Sequence, residues 1–464
     1  MERSAHGYWL ADAGPVTAQP PLPAGPACTD VLVIGGGYLG MWAAWHLAER
    51  GVEVLLVERD VCGHGPSGRN GGFVNPLWDR AAELRELFGD DGAGAICEVS
   101  TSAINRIDSW CEENGVDAHL VRAPMLEVAA TNSQLGDWEE GVAACEALGA
   151  GAEATVLDAD AVRAVCASEA FLGAVRWASG ATVHPARLSL GLRARLIEHS
   201  NVTIAERTEV ETFRPEAGTV RAMTSSGARI TAGSAVLAVN TGAARVRRLR
   251  RSLAVASSHV IATEPVPELI EQLGWTGGES ISDCRRMLHY FRTTRDGRVV
   301  FGWGGGRMGF GSRRPAHLEN DAGVQDAVVR HLGELIPALA GVRITHAWGG
   351  PIDVSPVHLP WFGSDGAVHY GFGFTGNGVG PASWGGELLA DLATGARTPL
   401  TALPNVGGLP PRRFPPEPLR WAGGSLIRRA LIRVDDAEQA GRRAGPAARA
   451  VARMPELLGL RLPR

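Results

Sequence analysis

An α/β fold built on a buried parallel sheet is what this sequence predicts, and three consecutive features of residues 31–58 predict it. First, Val31-Leu32-Val33-Ile34 is an apolar run suited to a strand covered on both faces. Second, Gly35-Gly36-Gly37-Tyr38-Leu39-Gly40 leads straight into a helix-like stretch, residues 41–50. Third, a further strand over residues 51–57 ends on Glu58, eighteen residues beyond Gly40. Each part has a physical role. Gly35 permits the tight turn, Gly37 lets the backbone approach a pyrophosphate, and Gly40 lets helix and strand pack closely. Tyr38 and Leu39 open a helix whose unpaired N–H groups and positive dipole end attract phosphate. Glu58, with Arg59 beside it, sets a carboxylate where it can accept both hydroxyls of a ribose. The unit is Rossmann-like and predicts dinucleotide binding.

Composition narrows the function classes. A chain of 464 residues has room for two domains, and 45% hydrophobic residues allow a large core. No apolar run reaches the roughly eighteen residues of a membrane span. The N-terminus lacks the basic start and apolar stretch of a secretion signal, and seven cysteines without a CxxC pair read as scattered thiols in a reducing compartment. A cytoplasmic location is expected, and no metal site. All 45 basic residues are arginine, which excludes a Schiff-base or phosphate-loop lysine. Residues 411–464 hold twelve arginines against five acids, while the whole chain carries −5. The rest is therefore acidic, which argues against nucleic acid as a partner.

The remaining elements follow in chain order. Residues 1–27, with five prolines from Pro15 to Pro26, read as an extended arm. After the acid comes Cys62-Gly63-His64-Gly65-Pro66-Ser67-Gly68-Arg69-Asn70-Gly71-Gly72-Phe73, too glycine-rich for anything but a loop or a loop entering a helix. Helical periodicity covers 80–89 and 93–114; residues 121–130 read as strand, 137–148 and 157–167 as helices. His184-Pro185 starts a helix over 186–199, and strands follow at 201–210 and 234–239. From Ser257 the pattern resembles antiparallel strands: 259–264, then 287–294 and 298–303 joined by the hairpin signal Asp296-Gly297. A helix fits 321–336. A second glycine-rich turn, residues 373–380, feeds a helix over 382–392 whose N-terminal dipole can face developing negative charge.

The order GxGxxG–acid, Ser67-Gly68-Arg69-Asn70-Gly71-Gly72, His184-Pro185 before a helix, and Gly373-Phe374-Thr375-Gly376-Asn377-Gly378 before the last helix resembles the D-amino-acid-oxidase-like flavoenzymes. The 67–72 segment is most similar to the γ-glutamylputrescine oxidase branch, near the glycine and sarcosine oxidases. The resemblance spans about residues 28–400 and implies FAD rather than NAD, with a substrate domain on a mixed, largely antiparallel sheet. It implies a cofactor domain from 28–115, 183–250 and 344–400, a substrate domain from 116–182 and 251–343, and an extension over 401–464. By the same resemblance, Gly35, Gly37, Gly40 and Glu58 hold the AMP half. Ser67, Gly68, Arg69, Asn70, Gly71 and Gly72 approach the phosphates and ring, Val210 meets adenine, and Gly376, Asn377, Gly378 and Val379 sit at the pyrimidine edge. Asn240 and Gly350 join the cofactor set. Relatives that tether FAD do so through a histidine or cysteine, and His64 and Cys62 sit in a different spacing, so the expectation is non-covalent FAD.

The function expected is oxidation of an amine or amino acid, hydride passing from the carbon bearing a neutral amine to flavin N5, with O2 or another acceptor reoxidising the flavin. Catalytic candidates are Arg69, His259, Tyr290 and Trp348, with Arg292 and Trp303 as further lining of an amine pocket. Without lysine, the charge that helps oxygen react must come from arginine, from His259 or His346, or from the substrate. Alternatives are a flavin monooxygenase, or a non-catalytic flavin-binding subunit recruited through its basic tail. In that tail Ile427, Ala430, Leu431 and Val434 recur at helical spacing beside Arg428, Arg429 and Arg433. Docking of this stripe on the acidic body is the preferred reading over a partner or an anionic membrane.

Overall fold

The computed structural model describes residues 1–3, 6–311, 313 and 315–457. Two large sheets dominate it. In the first, strand Gly25–Ile34 lies parallel between Val54–Val57 and Ala228–Leu237, and Val202–Ala205 extends it beyond Val54–Val57. The first half of Ala228–Leu237 pairs antiparallel with Thr219–Thr224, which pairs in turn with Val210–Glu216. Its second half pairs parallel with Val368–Phe372, edged by Trp361–Asp365. Residues Val31 to Ile34 and Val54 to Val57 are all buried, the condition that their apolar runs foretell. Helices Tyr38–Ala48 and Val379–Thr394 pack against each other, and a β-carbon on Gly386 would strike Trp42.

The second sheet has nine strands. In spatial order they are Glu2–Arg3, Ile344–Val354, Ala254–Thr263, Val299–Trp303, His289–Thr293, Ser280–Asp283, Met125–Ala129, Gly173–Trp177 and Ala154–Asp158. All neighbours pair antiparallel except at Glu2–Arg3 and between Ser280–Asp283 and Met125–Ala129. The hairpin turns at Asp296-Gly297, with Gly297 at φ 75°. Helix Ala322–Leu335 covers one face through Val324, Val328, Leu332 and Leu335, packed in one core with Ile261, Phe291 and Phe301. The fold is α/β with mixed sheets.

Several elements differ from expectation. The stretch expected as an extended arm holds a helix. Helix Gly7–Ala13 buries Tyr8, Trp9 and Leu10 against Val260, Val300 and Trp348, each burial contributing about 1.5–3 kcal/mol. Gln19 N–H then donates to Glu206 Oε2 at 2.6 Å. Glu206 is fully buried and takes Arg193 Nε at 2.7 Å, Arg193 Nη2 at 2.8 Å and Cys62 N–H at 2.8 Å, so one carboxylate ties three segments. Strand Ile344–Val354, expected with the cofactor domain, pairs along its length with Ala254–Thr263 instead. The helix expected at 157–167 starts later, at Ala159, after strand Ala154–Asp158; Asp158 caps it by accepting Ala161 N–H. The tail forms helix Leu419–Gln439; its last residues, 458–464, lie outside the described residues.

Candidate active site

A groove of 310 Å³ runs along the glycine turn. Gly35, Gly37, Tyr38, Leu39, Glu58 and Arg59 line it, as do Ser67, Asn70, Val210, Asn240, Gly376, Gly378 and Val379. The turn is as tight as chain geometry allows. Gly35 sits at φ 108°, and a β-carbon on Gly40 would run into the Gly35 carbonyl oxygen. Glu58 accepts Gly36 N–H at 2.8 Å and Asp60 N–H at 3.0 Å, so its carboxylate is held at the strand end. Ser67 Oγ accepts Tyr38 N–H at 2.8 Å, which latches the second loop onto the helix N-terminus. Asn70 then stiffens that loop: its amide donates to Pro66 and Ser67 carbonyls at 3.1 and 2.9 Å, and its Oδ1 accepts Gly72 N–H at 2.7 Å.

The second glycine turn is fastened by a residue that the sequence reading passed over. Buried Asp353 accepts Gly373 N–H at 2.6 Å and Asn240 Nδ2 at 3.0 Å. Gly373, Thr375 and Gly376 all take positive φ, and the chain enters helix Val379–Thr394 with its N-terminus at the groove. An adjoining chamber of 600 Å³ shares Pro66, Asn70, Ile352, Phe374, Gly376 and Val379 with the groove. Groove and chamber therefore meet between the two glycine turns.

Strand alternation decides what faces the chamber. Ala254, Ala256, Ser258 and Val260 line it from one strand, Gly350, Ile352 and Val354 from the next. Tyr290 joins them; its hydroxyl lies 2.7 Å from Ser258 Oγ, and burial pushes its pKa up to about 12. Arg69 also lines the chamber, 3.6 Å from Glu319; burial lowers its pKa and Glu319 opposes the fall. Gly71, Asn377 and Gly350, expected at the cofactor, face the chamber side of the junction. Gly40, Gly68 and Gly72 line neither cavity and serve close packing: a β-carbon on Gly68 would meet Gly63 O, and one on Gly72, Val183 O.

Four candidate substrate residues are displaced. His259 is one position out of register with the chamber-facing Ser258 and Val260, fully buried, its pKa lowered by burial to about 4. Trp348 shares the face of Gly350 but is covered by helix Gly7–Ala13, and its Nε1 donates to Arg69 O at 2.8 Å. Arg292 donates to the Val183 and Gly72 carbonyls at 2.7 and 3.2 Å and stacks over Trp9. Trp303 donates to Met287 O at 2.9 Å and lines neither cavity. Their place is taken by residues that carried no motif: Asp79, Arg80, Glu127 and the tail. Leu419, Ile427 and Leu431 of the C-terminal helix line the chamber. That helix is held by Arg420 on the Leu253 carbonyl at 2.9 Å and by Arg286 on Asp435 and Glu438 at 3.0 and 2.9 Å.

The family profile described as “FAD dependent oxidoreductase” (DAO) matches residues 30–392. The chain is 29% identical over 436 residues to “Probable oxidoreductase OrdL” of Rhizobium meliloti, spanning 92% of this chain and 95% of that one. It is 30% identical over 419 residues to “Gamma-glutamylputrescine oxidoreductase” of Escherichia coli, spanning 88% and 94%. The crystal structure of glycine oxidase from Geobacillus kaustophilus is similar with a TM-score of 0.66 at 21% identity, covering 80% of this chain and 96% of that one.

Proposed function

The chain belongs to the DAO family of FAD-dependent oxidoreductases, in the branch that holds gamma-glutamylputrescine oxidoreductase, OrdL and glycine oxidase; we propose that it oxidises an aliphatic amine at the carbon bearing its nitrogen. It acts on CH–NH groups with FAD as cofactor. The observation that carries the finer reading is the junction, where six residues belong to groove and chamber alike.

The groove fits FAD on its own geometry, because Gly35 and Gly40 form a cradle that a side chain would fill and Glu58 is already fixed by Gly36 N–H. On this reading Gly35, Gly37 and Glu58 hold the AMP half, Ser67 and Asn70 the phosphates and ring, and Gly376 to Val379 the pyrimidine edge. Attachment is non-covalent, since Cys62 and His64 line neither cavity. Bound there, FAD supplies the electron chemistry, accepting hydride from the carbon beside the neutral amine.

The chain's own part is positioning and desolvation. Ala254, Ala256, Val260 and Ile352 present an apolar wall that disfavours the ammonium form and so helps the amine lose its proton without a strong base. Ser258 Oγ donates to Trp303 O at 2.9 Å, so the Tyr290 hydroxyl donates to Ser258 and keeps lone pairs free to accept from a substrate N–H. Its raised pKa keeps the proton in place, which makes Tyr290 an orienting group rather than a base. The imine product is then hydrolysed by water. Seven unpaired cysteines fit the cytoplasmic location that belongs to this reading, and no helix among the described residues is long and apolar enough to cross a membrane. Anaerobic mixing of the holoenzyme with a panel of amines and amino acids tests it. Bleaching of the flavin band by an aliphatic amine is expected; no bleaching by any of them rejects the reading.

A further inference from the structure

The loop between Cys62 and Gly72 borders both cavities. Ser67 and Asn70 line the groove, and Arg69, Asn70 and Gly71 line the chamber. Five of its residues, at 63, 65, 68, 71 and 72, are glycine, so its backbone supplies little stiffness of its own. The loop is propped at five places by residues 6–19 or by side chains that they cover. Glu206 accepts Gln19 N–H on one oxygen and Cys62 N–H on the other, at 2.6 and 2.8 Å. The rings of His6 and His64 meet edge to face, 5.9 Å apart. Leu10 packs on Gly68, its Cδ2 3.1 Å from where a β-carbon would stand. Trp348 Nε1 donates to Arg69 O at 2.8 Å. Helix Gly7–Ala13 sits so close to that indole that a β-carbon on Gly7, at φ 66°, would enter the ring.

The fifth prop is Arg292. It is 4% exposed, and among the described residues no carboxylate pairs with it. Its Nε donates to Thr293 O at 3.0 Å, and Nη1 to Val183 O and Gly72 O at 2.7 and 3.2 Å. The guanidinium lies over the ring of buried Trp9, 5.6 Å from its centre. Burial lowers its pKa to about 9, so it stays charged at neutral pH. Carbonyls and an aromatic face thus offset a buried cation that would otherwise be costly. Gly72, at φ 79°, gives its own N–H to Asn70 Oδ1 at 2.7 Å. One line of contact therefore runs from Trp9 through Arg292 and Gly72 to Asn70, and ends in the groove. The family match begins at residue 30, beyond the segment that supplies these props.

We propose that residues 6–19 are a strap that pre-sets the 62–72 loop for the ring-bearing half of FAD, with Trp9 and Arg292 as positioning residues acting through Gly72 and Asn70. The inference rests on the reading above that puts Ser67 and Asn70 at the phosphates and ring. A loop released from its props must be ordered by the cofactor as it binds, and ordering one residue's backbone is worth about tenfold in Kd. The AMP half is held from the first glycine turn and does not draw on the strap.

The experiment titrates FAD and ADP separately against the full-length apo-protein, with hydrogen exchange of the amides of residues 62–72 as a second readout. Trp9→Ala should raise the Kd for FAD about tenfold or more, leave that for ADP within about twofold, and speed exchange in the loop. Trp9 Nε1 has no hydrogen-bond partner, so Trp9→Phe, which keeps a ring under Arg292, should recover most of the affinity. Arg292→Lys should act like Trp9→Ala, since an ammonium cannot lie flat on the ring while reaching two carbonyls. Leu10→Ala provides the same test in case Trp9→Ala fails to fold. FAD and ADP weakened alike, or FAD affinity unchanged in the strap variants and in Arg292→Lys, overturns this inference alone. Asn70→Ala tests the reading beneath it: unchanged FAD affinity there overturns the placement of the loop at the cofactor, and the strap with it.

Discussion

Removing the Glu58 carboxylate is the sharpest test of how the groove holds its cofactor. In the structure this side chain accepts Gly36 N–H at 2.8 Å and Asp60 N–H at 3.0 Å, leaving lone pairs on both oxygens for a ribose. Glu58→Ala removes both the support of the glycine turn and the ribose acceptors. Gly36 lines the groove and Asp60 is exposed, so water replaces the partner of either N–H at little cost. The ligand, in contrast, loses hydrogen bonds to an ionised group, worth about 1.5–3 kcal/mol. Near the middle of that range, about 2 kcal/mol, the Kd for FAD rises about thirtyfold. Glu58→Gln keeps an acceptor for Gly36 but loses the charge, and a rise of about fivefold is expected. Quenching of FAD fluorescence on titration with apo-protein measures both. The apo-protein Tm should be little changed, since the side chain sits at the groove rather than in the core. A Glu58→Ala protein that binds FAD with the parental Kd refutes the assignment of this carboxylate to the ribose.

Three further outcomes are expected. Glu206→Gln leaves buried Arg193 without its counter-charge and should cost about 3–5 kcal/mol, read as a lowered Tm and denaturation midpoint. Burial alone would raise Glu206, but hydrogen bonds from Arg193, Cys62 and Gln19 outweigh it and lower its pKa. Its contribution is therefore whole above the usual glutamate value and lost as pH falls through the lowered one, so wild type and variant should converge in stability in acid. Acid precipitation should release yellow flavin to the supernatant; flavin that stays with the pellet would contradict the non-covalent reading and point to Cys62 and His64. Reoxidation of the reduced enzyme by air should be slow but independent of pH around the histidine value of ~6.5, because Arg69 lines the chamber, His259 and His346 do not, and burial lowers His358, which does, to about 3. A rate that falls through that range in stopped flow would show a titrating histidine at work.

Local chemistry made the groove legible from sequence. A glycine that must touch a carbonyl, an acid at a strand end and a turn that must open a helix are constraints written within a few residues of one another. Gly35, Gly37, Glu58, Asn70 and Gly376 all line the groove for that reason. The chamber was far less legible, because it depends on register and on what lies over a strand. His259 failed by one residue: period two puts Ser258 and Val260 on the chamber side and the imidazole in the opposite core. Trp348 and Arg292 were lost to a helix, Gly7–Ala13, that a proline-rich leader concealed. Asp79 and Glu127 had no motif at all. A signal did exist for Glu127, an acid among apolar residues in the strand Met125–Ala129, whose neighbours Leu126 and Val128 are fully buried. The apolar stripe Ile427, Leu431 and Val434 announced that the tail packs against something, but periodicity cannot say against what.

That helix Leu419–Gln439 walls the chamber has a consequence for how this enzyme can be altered. The family match ends at residue 392, whereas Leu419, Ile427 and Leu431 come from beyond it. The groove takes no lining from that stretch. The groove is thus lined wholly from within the family match, whereas the chamber is completed from beyond it by a helix that arginine contacts such as Arg420 to Leu253 O and Arg286 to Asp435 help to hold. Residues 411–457 therefore add to the chamber without lining the groove. Recombining this segment between relatives, with its arginine anchors kept, would reshape the space offered to the far part of a substrate and leave the flavin's surroundings as they were.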